Sequence, residues 1–298
     1  MLWTMVELPN LERVEVRRLE IEPFDPKQEV GVLPNLKYLA LDMQRKGISR
    51  RPPFFKPFWI PRDIPDVPTI ADFKMRSGYF DRVPNLRELS LGARDGDHHQ
   101  MRIRVCIDYI CHPNLRLLAL SNLALYGTWN CPGTLEHLHL TDCNILSTRE
   151  MSTAPLVLPH LKSLVLRGIN CLQFRLSDIL QNTTGSLEIL EIVECHYFTL
   201  GDLLDSNKDG LKNLKKLHLL GMDFYNLETL TMLTILASMP QLKELHVPYT
   251  KVTGTLIRKI VESVGVPRVE ILNLKGCLDV SVEAVEYGRA NGLKIIRC

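Results

Sequence analysis

The chain contains no run of about 18 apolar residues, which excludes an ordinary transmembrane helix. Its opening, Met1-Leu2-Trp3-Thr4-Met5-Val6, has neither a basic flank nor a long apolar stretch, so no secretory signal peptide is expected there. Neither charge sign dominates. With 36 lysines and arginines against 34 acids, a net charge of +2 gives no global field for nucleic acid or anionic membrane. The common catalytic motifs are missing: there is no G-x-S-x-G, no G-x-x-x-x-G-K-[ST], no G-x-G-x-x-G and no H-E-x-x-H. The eight cysteines are scattered, without the spacing of a disulfide frame, and suit free thiols in a reducing compartment, the cytoplasm or nucleus. Cys106, Cys111 and His112, with His98 and His99 nearby, read C-x4-C-H. They lack a second pair of ligands, so no metal or other cofactor is expected. The sequon Asn182-Thr183-Thr184 has no secretory signal to give it meaning.

What the chain does have is a recurring phrase. Its clearest copy is Val266-Pro267-Arg268-Val269-Glu270-Ile271-Leu272-Asn273-Leu274-Lys275-Gly276-Cys277. Apolar residues stand at Val269, Leu272 and Leu274, with a cysteine three positions later, giving L-x-x-L-x-L-x-x-C. The first apolar residue of each copy runs Leu11, Leu36, Leu86, Leu115, Leu135, Leu161, Leu187, Leu214, Leu242, Val269 and Leu293. The steps are 25, 50, 29, 20, 26, 26, 27, 28, 27 and 24 residues. Taking the step of 50 as two gives about 26 residues per repeat, within the range of leucine-rich repeats. The reading is an α/β leucine-rich-repeat solenoid, a horseshoe with a parallel concave sheet and helical or irregular outer returns. Residues 1–298 then form a single domain of about 11–12 repeats.

The pattern has a physical basis. The alternation x-x-L-x-L puts two apolar side chains on one face of a short strand, and the first apolar residue reaches the same core from the preceding turn. Parallel strands need a crossover segment, and one repeat cannot bury its own apolar face, so stability comes from stacking. Pro9-Asn10, Pro34-Asn35, Pro84-Asn85 and Pro113-Asn114 precede strands, where proline stops a helix and sets an extended approach. Helical returns are predicted over 226–239, 253–264 and 281–290, with Ser281 as an N-cap. The short step from Leu115 to Leu135, broken by Gly127, Pro132 and Gly133, leaves no room for a helix.

Residues 44–83 read as an insertion replacing one repeat. Six prolines there exclude a regular helix or central strand, and no acid stands between Gln44 and Arg62. Arg50, Arg51, Phe54, Phe55, Phe58 and Trp59 are its candidate contact residues. The second candidate surface is the outward side of the strands. Its residues are Arg13, Glu15, Tyr38, Glu88, His137, His139, Glu191, Lys216, His218, Glu244, His246 and Asn273, with a protein as the expected partner. Four histidines there raise protonation near about pH 6 to 7 as a modulator of binding. Cys143, Cys195 and Cys277 take the ninth position of the phrase, where a thiol points into the turn and bonds backbone groups. No membrane partner is expected, and the rest of the chain supplies no basic stripe for nucleic acid.

The endings Leu140-Thr141-Asp142-Cys143, Ile192-Val193-Glu194-Cys195 and Leu274-Lys275-Gly276-Cys277 resemble the cysteine-containing leucine-rich repeats of F-box proteins. The segment from Leu274 to Ile296 resembles the C-terminal repeat of fungal members of that family. The repeat resemblance covers nearly the whole chain, and the closing segment about a tenth of it. It implies the substrate-recognition part of a cullin-type ubiquitin ligase, not itself an enzyme. In that family a helical F-box binds a Skp-type adaptor. Leu8-Pro9 resembles an F-box opening, but Asn10 to Val16 continues as a repeat strand. Adaptor and cullin are therefore expected as partners only if an F-box lies upstream. The competing expectation is a regulatory or scaffold repeat protein unrelated to ubiquitin, of the sensor or GTPase-activating kind. In the latter, Arg94 or Arg149 would be the candidate catalytic arginine.

Overall fold

The computed structural model describes residues 10–21, 33–45, 72–73, 83–93, 103–127, 129, 131–145, 157–169, 176–183, 185–196, 198, 201, 203, 208–221, 224–263 and 265–297. The strands, in chain order, are β1 (Arg13–Ile21), β2 (Tyr38–Arg45), β3 (Asp72–Phe73), β4 (Glu88–Ala93), β5 (Ile103–Cys106), β6 (Leu117–Ser121), β7 (Leu123–Tyr126) and β8 (His137–Thr141). They continue as β9 (Asn144–Ile145), β10 (Ser163–Arg167), β11 (Ile189–Val193), β12 (Lys216–Leu220), β13 (Glu244–His246), β14 (Ile271–Asn273) and β15 (Lys294–Ile296). The helices are α1 (Leu176–Asn182), α2 (Lys208–Leu211), α3 (Thr229–Leu236), α4 (Gly254–Glu262) and α5 (Val282–Ala290).

Among the described residues, eleven strands form one sheet in the order β1-β2-β4-β6-β8-β10-β11-β12-β13-β14-β15, all pairs parallel. Strand order follows chain order from end to end, so each coil of chain lies beside the next. The fold is α/β, with a large parallel sheet and few helices. A second, four-stranded parallel sheet runs β3-β5-β7-β9. The early returns are therefore extended where the later ones are helical. Leu123, Leu125 and Ile145 of this second sheet join the same continuous core as the large sheet. None of the described helices is long and apolar enough to cross a membrane.

The alternation of the phrase is the alternation of burial. From β2 to β14 the inward pairs, such as Leu39 and Leu41, Leu118 and Leu120, or Leu217 and Leu219, are buried. The first apolar residue of every copy from Leu36 to Leu293 is buried with them. Each full burial contributes about 1.5–3 kcal/mol.

Three backbone features tie one coil to the next. The residue before each strand offers its carbonyl to two successive N–H groups of the following coil: Glu12 to Lys37 and Tyr38, Lys37 to Arg87 and Glu88, Arg87 to Arg116 and Leu117. One position before the first buried leucine, a small polar side chain donates to a carbonyl of the preceding coil. Asn85 reaches Pro34 O (2.7 Å), Asn114 reaches Pro84 O (2.9 Å), Thr134 reaches Pro113 O (2.9 Å) and Ser186 reaches Pro159 O (3.1 Å). This explains the asparagine of the Pro-Asn pairs. The proline's own carbonyl is the acceptor, and the asparagine of the next coil satisfies it.

The third feature is the corner after each strand. Asn122, Asp142, Gly168, Glu194, Gly221, Tyr249 and Gly276 occupy one equivalent position, and all have positive φ. The N–H groups of Asn122, Asp142, Gly168, Glu194 and Tyr249 there donate to the next coil, at Thr141, Arg167, Val193, Leu220 and Lys275. The following residue turns inward. Cys143 donates its thiol to Leu120 O and Thr141 O (3.4 Å each), Cys195 to Leu166 O (3.3 Å) and Cys277 to Val247 O (3.2 Å). All three sulfurs are buried and hold the corner, as the sequence reading expects.

Some expectations are altered. The step of 50 residues adds no strand to the large sheet, because Tyr38 of β2 is the direct partner of Glu88 in β4. Within that step the described residues Asp72–Phe73 belong to the second sheet, beside Arg104–Val105. Helix α3 buries Met232, Ile235 and Leu236 and leaves Leu230 exposed; the helix is apolar on nearly all sides, so its periodicity does not define a face. Thr253 and Ser281 cap α4 and α5 by accepting from the N–H groups of Thr255 and Ala284. Val282 of α5 is exposed and Val285 buried.

Gly265 and Gly276 provide a controlled test of the corner. Their φ values are +71° and +70°, so alanine at either meets the left-handed penalty of about 1–2 kcal/mol. Among the described residues nothing lies within 4 Å of a Cβ at Gly265, whereas one at Gly276 would strike the Tyr249 ring. Gly276→Ala should therefore cost about 1 kcal/mol or more beyond Gly265→Ala in urea denaturation, and adding Tyr249→Ala should narrow that gap.

Candidate partner-binding face

The in-register pairing turns the outward residues into continuous rows. One row contains Arg13, Tyr38, Glu88, His137, Lys216 and Glu244. The next contains Glu15, His139, Glu191, His218, His246 and Asn273. All twelve candidates on the sheet thus share one face, opposite the buried leucines. They form two groups. Arg13, Glu15, Tyr38 and Glu88 lie at the β1 end, with the Arg13 guanidinium carbon 3.6 Å from the Tyr38 ring centre and Glu15 paired to Arg17 at 3.1 Å. The other eight lie from β8 to β14. Between Glu15 and His139 the second row carries only Ala40, Ser90 and Ala119, and β4 and β8 stand about 10 Å apart across two strand spacings. Arg50, Arg51, Phe54, Phe55, Phe58 and Trp59 lie outside the described residues.

Glu191 is the centre of the larger group. It lies on the outward side of β11 yet is only 4% exposed, because the side chains of the neighbouring strands cover it. Arg167 of β10 donates through Nη2 to one carboxylate oxygen, and Lys216 of β12 stands 2.6 Å from the other. Burial pushes the Glu191 carboxyl up, but the two cationic donors outweigh it and hold the group down at about 2. A carboxylate gripped from both sides fixes two long cationic side chains that would otherwise be free to rotate. Arg167 belongs to a third outward row, two residues past the strand centre, which the repeat phrase alone does not mark. Its signal is the same period-two alternation carried one step further.

The histidines surround this ion triad. His139 Nε2 is 3.0 Å from the buried Ser163 hydroxyl, and its ring meets that of His137 edge-on, 6.2 Å between centres. The rings of His218 and His246 lie 5.3 Å apart. Asn273 Nδ2 lies 3.5 Å from His246 Nδ1, and the Nε2 of His246 is 3.6 Å from Glu244 Oε2, too far for a hydrogen bond. That Nε2 is buried without a hydrogen-bond partner.

Burial and neighbouring cations disfavour the charged form of His139, His218 and His246. Burial first, then the neighbouring His246, lowers His218 to about 4. Burial and His137 lower His139, and burial and Lys216 lower His246. Three of the four histidines therefore resist protonation in the range where an ordinary histidine titrates. The expected modulation near about pH 6 to 7 is displaced to more acidic values for these three.

Elsewhere, Cys111 Sγ lies 3.5 Å from Cys131 Sγ, Cys106 Sγ is 3.5 Å from Asp108 Oδ2, and His98 and His99 are outside the described residues. Among the described residues no group of three or more histidine, cysteine or acidic side chains is placed to hold a metal. Neither the protein-family models nor the curated proteins include a match to this chain.

The pH dependence of stability follows from the direction of these shifts. An unfolded histidine takes its proton near 6.5, whereas folded His218 does so only near 4. Between those values the unfolded chain binds more protons, so stability falls as pH falls from about 6.5 to 4. Glu191 acts in the same direction at lower pH, its contribution being complete above about 4.5 and lost towards 2. In denaturation series at pH 7, 5.5 and 4.5, His218→Gln should flatten the slope relative to the unaltered chain. An unchanged slope would contradict the assignment.

Proposed function

We propose that this chain is a leucine-rich-repeat solenoid that acts as a non-catalytic protein-binding scaffold. The open, concave side of the large sheet is its recognition surface. The observation that carries the reading is the ordered polar cluster on that side, with Glu191 buried between Arg167 and Lys216. Burying an ion pair contributes little net stability, so packing alone gives no reason for one outside the core. What it supplies is a rigid pair of cationic side chains on a face about 48 Å wide, counted as ten strand spacings. Preorganised donors lose less conformational entropy when a partner docks.

The finer reading is that these are the substrate-recognition repeats of an F-box type subunit of a cullin-based ubiquitin ligase, working in the cytoplasm or nucleus. It rests on the sequence resemblance of the Cys143, Cys195 and Cys277 phrases and of the closing segment. The corner thiols give that resemblance a physical basis, since each bonds the carbonyls that the repeat must satisfy. In this role the chain holds a protein while partner subunits transfer ubiquitin.

Affinity purification of the tagged chain from its native cells tests both levels. The ligase reading expects a Skp-type adaptor and a cullin to co-purify together with a client protein. A client without adaptor or cullin would place the chain among regulatory or scaffold repeat proteins instead. Arg167→Ala with Lys216→Ala should reduce client recovery tenfold or more, about 1.4 kcal/mol, while circular dichroism remains that of the folded chain. Undiminished recovery would remove the sheet face from the proposal.

A further inference from the structure

Cys111 and Cys131 occupy the same place in two consecutive coils. Each stands four residues before the first buried leucine of its phrase, Leu115 and Leu135. Stacking therefore sets one thiol against the other, and the two sulfurs are 3.5 Å apart. Both residues are only partly buried, unlike the corner cysteines Cys143, Cys195 and Cys277. The corner thiols are committed to backbone carbonyls, whereas these two face each other.

We propose that Cys111 and Cys131 form a reversible dithiol–disulfide site that reacts with low-molecular-weight disulfides and, when oxidised, staples two neighbouring coils. The chemistry is two successive exchanges. One of the two cysteines, as its thiolate, attacks one sulfur of a disulfide RSSR, forming a mixed disulfide and releasing RS⁻. The thiolate of the other then attacks the protein sulfur of that mixed disulfide, forming the Cys111–Cys131 bond and releasing the second RS⁻. The two protons given up by the cysteines go to the two leaving thiolates. The balance is two protein thiols plus RSSR giving one protein disulfide plus two RSH, with the small disulfide reduced and the protein oxidised.

Cys111 is held protonated, first by its hydrogen bond with Cys131, then by burial. Closing the contact to a bond of about 2.05 Å needs roughly 1.5 Å of approach shared between two side chains. The backbone near Cys111 is well anchored. His112 is buried, its Nδ1 accepts the Asn114 N–H at 3.2 Å, and Asn114 bonds Pro84 O. The staple would thus fix the lead-in segments of β6 and β8, which carry Leu117 and Ala119, and His137 and His139, on the open face.

The test uses the full chain, equilibrated with oxidised and reduced glutathione in varied ratio, quenched with acid and alkylated. Peptide mapping by mass spectrometry should find a Cys111–Cys131 crosslink, two hydrogens lighter than the dithiol, reversed by excess reduced glutathione. Thermal melting of the oxidised chain should rise by several degrees, and Cys111→Ser and Cys131→Ser should each abolish both the crosslink and the rise. Each serine variant should instead retain glutathione on the remaining cysteine of the pair. A stable glutathione adduct on the unaltered chain without closure, or crosslinks that bypass this pair, would overturn the proposal. Folding of each serine variant is read independently by circular dichroism, so loss of the crosslink in a folded chain is unambiguous.

Discussion

Everything in this structure depends on one coil being able to satisfy the polar backbone of the next. A parallel strand cannot pair with the next through a tight turn, so each coil leaves N–H and C=O groups that only the adjacent coil can complete. The carbonyls of Glu12, Lys37 and Arg87, each accepting two N–H groups of the following coil, show how fully that requirement is met. The side chains of Asn85, Asn114, Thr134 and Ser186 extend the same bonding to the turn before the strand. The positive-φ corner and its inward thiols extend it to the turn after. Leucines fill the space enclosed, but their burial is useful only in the register that these bonds impose.

The same register builds the exposed side. Because every inward leucine fixes an outward neighbour, residues far apart in sequence become adjacent in rows. Arg167, Glu191 and Lys216 come from three consecutive strands, and their grip on one another follows from pairing rather than from local sequence. The resistance of His139, His218 and His246 to protonation has the same origin. Each ring is partly buried by side chains on strands either side, which disfavours its charged form. The architecture therefore converts a simple periodic pattern into a face whose chemistry is fixed by cross-strand neighbours.

The regular part of this was legible from residue order. The phrase predicts the strands, the inward leucines, the shared outward face and the structural role of Cys143, Cys195 and Cys277, because each depends on a short local spacing. What was not legible depends on pairing or on competing apolar faces. The step between Leu36 and Leu86 reads as two repeats by length, yet β2 bonds directly to β4, and chain length alone does not decide which strands pair. Helix α3 lacks a polar side, so its buried residues could not be phased. Arg167, the contact between Cys111 and Cys131, and the use of Pro-Asn as an acceptor and donor across coils are all relations between coils. Single-chain spacing indicates them only once the coils are superposed. The basic and aromatic residues of the insertion remain a reading of composition alone.

The central claim is that consecutive coils lie side by side in one register, including across the long step. Its most direct test is an engineered pair, Ala40→Cys with Ser90→Cys, since those two residues are direct partners on the outward side of β2 and β4. Under mild oxidation, peptide mapping should find positions 40 and 90 joined to each other in high yield in the monomeric chain. If an additional strand separated them they would stand about 10 Å apart, no such bond would form, and the stacking described here would be wrong at its most distinctive point.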